Sequence, residues 1–342
     1  MSLALIPVPP WPAAPSADAE PSERMAWYAA VARWAPSKHN TQPWRFVVRG
    51  NALEVWTDPQ RSLPDSDPHR RELTIACGAA LHLACVAARA LGFQPLVTVL
   101  PDGVGGLLGR LVETGPWAAS PQDLEFLALV PRRRTDRGPL NSAVLPGSVP
   151  FLLQSAAAVQ GASLRLVSTP GDRATLVRLV ERADRLLVQR GDIDRELQRW
   201  SREAGDGRAD GVPTDRTRGA AASYRAEFVQ RDFSGAHPRP RHDRDGADHP
   251  IIGVICTGSD READWITAGR ALASVLLCAA QHGADSSYLN QPVEEPAIRN
   301  ELRTMLDLPG AAQVILRIGV GGNVLPTPRR DADEVTIRTS SD

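Results

Sequence analysis

Between Leu73 and Leu91 the chain is apolar on every helical face. A helix there has no side to give to water and must be covered all round, which puts it at the centre of a fold. The segment from Ile266 to Gly283 has the same character, and the two align without gaps at a constant offset of 191 (269 minus 78). Ile75 meets Ile266, Gly78 meets Gly269, Ala80 meets Ala271, Leu81 meets Leu272, Ala88 meets Ala279 and Gly92 meets Gly283. Each helix is followed by a β-rich stretch with an arginine inside it, Gly109 to Glu113 and Gln313 to Val320. The spacing predicts an internal repeat: two halves, each with a central helix and a β-rich segment, joined near Pro116 to Pro131.

Around these helices the remaining elements read more conventionally. Ser22 to Trp34 is an amphipathic helix with Ser22 as its N-cap, stopped by Pro36. Phe46 to Val48 and Leu53 to Trp56 form a hairpin about Gly50 and Asn51. Helices are expected over Arg173 to Gln189 and Ile193 to Glu203. Gly205 to Pro250, rich in Gly, Asp, Arg and Pro, has the composition of a long draping loop. The formal net charge of -1 gives no global electrostatic case for nucleic acid or anionic lipid, so neither is expected as a partner. The four cysteines, Cys77, Cys85, Cys256 and Cys278, sit in apolar patterns without a CxxC pair and read as buried free thiols. The proline-rich start fits neither a signal peptide nor a membrane helix, and a cytoplasmic protein is expected.

Four segments could carry chemistry. Ala35-Pro36-Ser37-Lys38-His39-Asn40-Thr41-Gln42-Pro43-Trp44 packs short hydrogen-bonding side chains between two prolines where a helix meets a strand. That suits a rigid ligand-facing loop, although a helix stop and turn would read the same way. Arg132-Arg133-Arg134-Thr135-Asp136-Arg137 concentrates guanidinium groups and a hydroxyl, donors that suit a phosphate monoester or, equally, a solvated basic turn. Asn290-Gln291-Pro292-Val293-Glu294 follows the second apolar helix, and Arg329 and Arg330 form a basic pair near the end. Other motifs fail. Gly103 to Gly109 is not GxGxxG and precedes a strand, and the only lysine, Lys38, stands in no P-loop. His237, His242 and His249 with Asp243, Asp245 and Asp248 have no standard metal spacing, and no metal is expected.

The APSxxNxQPW loop and the RRTDR run together resemble the signatures of the FMN-dependent nitroreductase family. The resemblance covers most of residues 26–330 and implies an α+β nitroreductase-like fold. In that family Pro36, Ser37, Lys38, Asn40 and Gln42 would contact the flavin. Arg133 and Thr135 would face the FMN phosphate side, Arg134 would also bind the cofactor, and Arg137 would reach toward N1 and O2. Pro292, Val293 and Glu294 would lie against the ring near N5, and Arg329 and Arg330 would complete the phosphate site. Ordinary members are homodimers that build each site from both subunits. Here the Asn40 loop occurs once, in the first half, and the arginine run once, in a second half whose equivalent loop reads Ala156-Ala157-Ala158-Val159-Gln160-Gly161. That pattern is similar to the domain-duplicated Acg-like branch, in which two fused halves form an intramolecular pseudo-dimer around one composite site.

The expected organisation is therefore a proline-rich extension (1–21), a first half (22–120) and a second half (121–342), with 205–250 as a possible lid. The resemblance implies an oxidoreductase that passes hydride from NAD(P)H through FMN to a small organic acceptor, nitroaromatic or quinone-like, with no protein nucleophile. The rival reading is an FMN storage or sequestration protein whose lid blocks turnover. A monomer or weak dimer is expected, because the usual dimer interface has become internal.

Overall fold

The computed structural model describes residues 10–103, 105–203, 206–213, 227–229, 248–322 and 326–339. The hairpin is β1 (Trp44–Arg49) and β2 (Ala52–Thr57), paired antiparallel with Gly50 at φ 57° in the turn. With β3 (Phe93–Val99), β4 (Leu107–Pro116) and the C-terminal β11 (Thr336–Thr339) it makes a five-stranded sheet in the order β11-β1-β2-β4-β3. The second sheet contains β5 (Ser163–Leu166), β8 (Ile251–Thr257), β9 (Asp285–Tyr288) and β10 (Ala311–Gly319), in the order β5-β8-β10-β9. A two-strand pair, β6 (Ser201–Arg202) with β7 (Val212–Pro213), stands apart.

The two apolar segments are helices α2 (Arg71–Leu91) and α7 (Glu262–Gln281), one packed on each sheet and both against each other. By length and composition either could cross a membrane, but both are largely buried within the protein. Their crossing explains the repeat. A Cβ on Gly78 would meet the backbone of Ile266, and a Cβ on Gly269 would meet the backbone of Ile75. Since 75 pairs with 266 and 78 with 269, these contacts are reciprocal, as at an isologous two-fold interface. The two halves thus form a pseudo-dimer within one chain, with glycine at the closest approach because only its missing side chain lets two helix backbones come so near.

Several expectations need correction. The first helix, α1 (Pro21–Ala32), starts one residue earlier than Ser22; Glu20 is its N-cap and makes no side-chain cap bond. Proline at the first position supplies the right φ, so no cap is required to start the helix. The joining segment is not all linker: α3 (Pro121–Leu129) is closed by a capping box between Ser120 and Asp123. Helices α5 (Pro170–Gln189) and α6 (Gly191–Trp200) match expectation to within a few residues, with Thr169 capping α5 at Asp172 N–H. Most of 205–250, including His237, His242, Asp243 and Asp245, lies outside the described residues. Asp248 is described; it accepts from the buried Arg317 guanidinium at 2.5 Å and from Leu140 N–H at 3.0 Å.

All four cysteines are buried and unbridged, and burial pushes their thiols up, Cys278 to about 11 and Cys256 to about 12. His82 is buried within α2, where burial first and Arg270 and Arg89 next hold it down to about 3, a neutral core histidine. Residues 10–20 lie against α1: Trp27 Nε1 donates to Pro12 O, and the Trp11 ring sits 5.7 Å from that of Trp34.

Candidate active site

The Asn40 loop has an unusual backbone. His39, Asn40 and Gln42 all have positive φ, at 50°, 55° and 51°. Non-glycine residues in that region cost of order 1 kcal/mol or more each, so three in four residues persist only where the surroundings over-determine them. They do here. Ser37 Oγ accepts from Gln42 N–H (2.9 Å), Thr41 Oγ1 donates to Lys38 O (3.0 Å), and Arg61 donates to Thr41 O (2.8 Å).

A cleft enclosing about 1200 Å³ of space, continuous with solvent, opens beside this loop. Its floor is apolar and comes from both central helices, Ile75 and Ala76 of α2 with Leu272 of α7. Around it the structure brings together Pro36, Ser37, Lys38, Asn40, Arg133, Thr135, Arg137, Glu294 and Arg329. These residues come from chain segments nearly 300 positions apart. The C-terminal crossing accounts for Arg329: the chain leaves the second sheet and passes the Asn40 loop before β11 pairs parallel with β1.

Not every expected residue faces the cleft. Gln42 is fully buried; its Nε2 donates to Ala209 O (2.7 Å) and its Oε1 accepts from Arg330 N–H (2.9 Å). Arg330 is spent on that bond and on Asp58 and Glu334. Arg134 turns back onto Pro131 O and Arg133 O. Pro292 and Val293 are buried beneath, with Val293 O accepting from Arg71 (3.0 Å). All five residues shape the walls rather than line them, because a short motif cannot aim every side chain one way. Asn40 does line the cleft, yet its amide is bound to the protein: Nδ2 donates to Gly211 O (3.0 Å) and Pro328 O (3.2 Å), and Oδ1 accepts from Arg329 (3.2 Å).

The two ends of the cleft differ in charge. At one end Arg133 is buried, and its Nε and Nη1 have no hydrogen-bond partner among the described residues. Arg329, buried beside it, has an Nε without a partner among the described residues. Burial first, then Arg133, Arg134 and Arg33, pull the Arg329 guanidinium well below its usual range, and burial lowers Arg133 too. Arg134 is lowered to about 10 by burial and then by Arg133. Burying mutually repelling cations is costly, and the cost is relieved only by an anion. At the other end Lys38 Nζ stands 2.6 Å from Glu72 Oε2 and 3.2 Å from Glu294 Oε1, a paired arrangement.

Sequence reasoning missed Tyr288 and Glu72, both of which line the cleft, as does Asn290 of the segment singled out after the second apolar helix. Tyr288 carries a buried hydroxyl without a partner among the described residues. Asn290 Nδ2 donates to Glu72 Oε1 (3.0 Å). Only Glu72 left a signal, as an acid opening an otherwise apolar helix.

The sequence matches no family model. Over 330 residues it is 32% identical to the Mycobacterium tuberculosis (H37Rv) protein named "Putative NAD(P)H nitroreductase Rv3131", covering 95% of this chain and 94% of that one. It is 28% identical over 308 residues to "Putative NAD(P)H nitroreductase acg" of the same strain, covering 88% of this chain and 91% of that one. A solved nitroreductase with bound FMN from Bacteroides fragilis aligns with a TM-score of 0.39 at 16% identity, over 62% of this chain and 98% of that one.

Proposed function

As this chain belongs to the nitroreductase family, on its Acg-like branch, we propose that it binds one FMN in the cleft and acts as an oxidoreductase. The observation that carries the reading is the buried Arg133 guanidinium, with two donor nitrogens unmatched among the described residues, beside a second buried cation, Arg329. A phosphate dianion satisfies both the donors and the charge. The residues present fit the cofactor. Arg133, Arg329 and Thr135 would hold the phosphate, and Arg137 would face the pyrimidine edge. Ile75, Ala76 and Leu272 would pack the ring, with Lys38, Asn40 and Glu294 at its rim.

Bound FMN supplies the hydride chemistry, between a reduced nicotinamide and a small acceptor of the nitroaromatic or quinone class. The protein's own contribution is position and field. Arg137 places a cation where negative charge accumulates, the apolar floor excludes water, and the loop backbone is locked before any ligand arrives. No side chain is required as a nucleophile. We place the protein in the cytoplasm, with a monomer sufficient for a complete site.

The test is a count. Protein purified with its flavin, denatured and measured for released FMN, should yield one equivalent per chain. Two equivalents would overturn the composite site; none, with added FMN failing to bind, would overturn the cofactor assignment.

A second reading, storage without turnover, draws support from residues 206–213. Gly211 exchanges backbone and side-chain hydrogen bonds with Asn40, Ala209 O holds Gln42, and the partly buried Asp210 pairs with Arg61 and Arg202. Val212 and Pro213 then line the cleft. A segment so placed restricts approach to whatever is bound there.

A further inference from the structure

Tyr288 ends β9, and its ring packs against the core of the second half. A phenylalanine would fill that place as well, so packing accounts for the ring and not for the hydroxyl. The hydroxyl is buried, belongs to a residue that lines the cleft, and has no hydrogen-bond partner among the described residues. A polar group in that state costs stability, because it has lost water and gained nothing in exchange. Burial raises the phenol above its ordinary ionisation range, against the pull of Arg133, Arg137 and Arg329. The hydroxyl therefore keeps its proton and remains a donor.

The arginine run is fastened to the same strand. Asp136 N–H donates to Ser286 O at 2.8 Å, and Ser286 Oγ donates to Arg134 O at 3.3 Å. Arg133 and Tyr288 are held near enough for each to shift the ionisation of the other, and Arg329, brought in by the C-terminal crossing, feels both. Four buried groups then stand without a partner among the described residues: Arg133 Nε and Nη1, Arg329 Nε and the Tyr288 hydroxyl. A phenol oxygen could accept from either guanidinium, yet neither bonds to it. The acids close by do not meet them. Asp136 accepts from Gly138 N–H (2.7 Å) and Gly322 N–H (2.9 Å). Asp285 is within electrostatic reach of Arg133, yet the two Arg133 nitrogens stay unmatched. Every member of the group can donate, and what it lacks is an acceptor.

Resting on the flavin reading above, we infer that Tyr288 is a specificity-determining residue of the cleft: with Arg133 and Arg329 it selects ligands carrying a terminal phosphate monoester over their unphosphorylated counterparts. A phosphate monoester offers three acceptor oxygens and a charge approaching two, enough for both guanidinium groups and for one neutral donor besides. Neutrality is the point of a tyrosine there. A third buried cation would add to the repulsion that Arg133 and Arg329 already exert on each other, whereas a hydroxyl adds a hydrogen bond without adding charge.

The test compares two ligands that differ only at the phosphate. Flavin-stripped protein is titrated with FMN and with riboflavin, and each affinity is read from the quenching of flavin fluorescence. Tyr288→Phe keeps the ring and should weaken FMN about tenfold, the lower end for a hydrogen bond to a charged group, with riboflavin unchanged. The flavin-stripped variant should melt no lower than the native protein, since the lost hydroxyl had no partner. A tyrosine that merely held the fold together would lower the melting temperature and weaken both flavins alike. Fluorotyrosine incorporated at the three tyrosines of the otherwise native chain gives a reading that does not depend on the variant folding. One fluorine resonance should differ between the riboflavin and FMN complexes. Equal loss of both ligands, an unchanged FMN affinity or identical fluorine spectra would overturn the role of Tyr288. A native protein that binds FMN and riboflavin equally well overturns the phosphate selection and leaves bound flavin standing, whereas one that binds neither overturns the flavin reading itself.

Discussion

Gly269→Ala puts the pseudo-dimer to a test of sign. In a helix interior with room to spare, replacing glycine by alanine stabilises by about 1 kcal/mol. At position 269 the added carbon would sit 2.8 Å from Ala79 N and 2.9 Å from Gly78 Cα, and closer still to Ile75 O. All three are main-chain atoms of the partner helix, so no rotamer change makes room. Regaining ordinary contact at about 3.4 Å requires α2 and α7 to part by more than the 0.6 Å (3.4 minus 2.8) that the Ala79 contact alone would need, because Ile75 O is closer. A gap of that size forfeits about a quarter or more of each dispersion contact along the seam. Overpacking of this kind costs about 1–3 kcal/mol; with backbone as the obstacle the upper end applies, for a net loss of about 2 kcal/mol after the helix-propensity gain. Gly78→Ala should behave alike, because Ile266 stands over it as Ile75 stands over Gly269. One parting of the helices relieves both clashes, so the double variant should lose less than the sum of the singles, by about 1 kcal/mol. Ile75, Ala76 and Leu272 line the cleft, so flavin affinity should fall as well. Urea unfolding followed by circular dichroism measures the loss as a lower midpoint at constant slope. Unchanged or raised stability in either single variant, or strict additivity in the double, would refute the reciprocal crossing.

Other outcomes follow from the same geometry. Arg133→Ala should weaken FMN binding about ten- to hundredfold, the worth of a charge-assisted hydrogen bond of roughly 1.5–3 kcal/mol. The flavin-free fold should be no less stable, since a buried cation with two unpartnered donors is removed; unchanged affinity in a fluorescence titration would refute the phosphate role. Glu113→Ala should cost about 3–5 kcal/mol, because Glu113 holds the buried Arg24 guanidinium at 2.6 Å and the Tyr28 hydroxyl at 2.7 Å. Asp285 is raised to about 6 by burial and then by Asp136, against Arg134 and Arg133. Its stabilising contribution is therefore whole below about pH 3.8 and lost as pH rises through about 6. Asp285→Asn should gain melting temperature relative to the native protein between pH 4 and 7, and a pH-independent difference would contradict the assignment. Deleting Asp206 to Gly211 should speed anaerobic bleaching of the flavin by NAD(P)H if that segment restricts the cleft, whereas a native protein already bleached within seconds would rule out storage.

The sequence alone disclosed the two central helices and their relation, because burial on all faces and a gapless repeat are local patterns that survive translation into structure. It also disclosed which loops meet at the cleft, since glycine-poor, proline-bounded runs of Ser, Asn and Gln and a packed run of arginines are unusual over any short window. Only tertiary structure decided which members of those runs face the cleft. Gln42, Arg134 and Arg330 turn into the protein and Lys38 turns toward two acids, and nothing in the motif separates them. Glu72 and Tyr288 come to the site from segments that carry no shared signature. The four-residue β11 has no periodicity to read, and its parallel pairing with β1 joins positions almost 300 residues apart, yet that crossing brings Arg329 to Asn40. Local pattern settles what a segment can become; which side chain meets which is set by long-range packing, where one helix crossing or one strand exchange reassigns every partner at once.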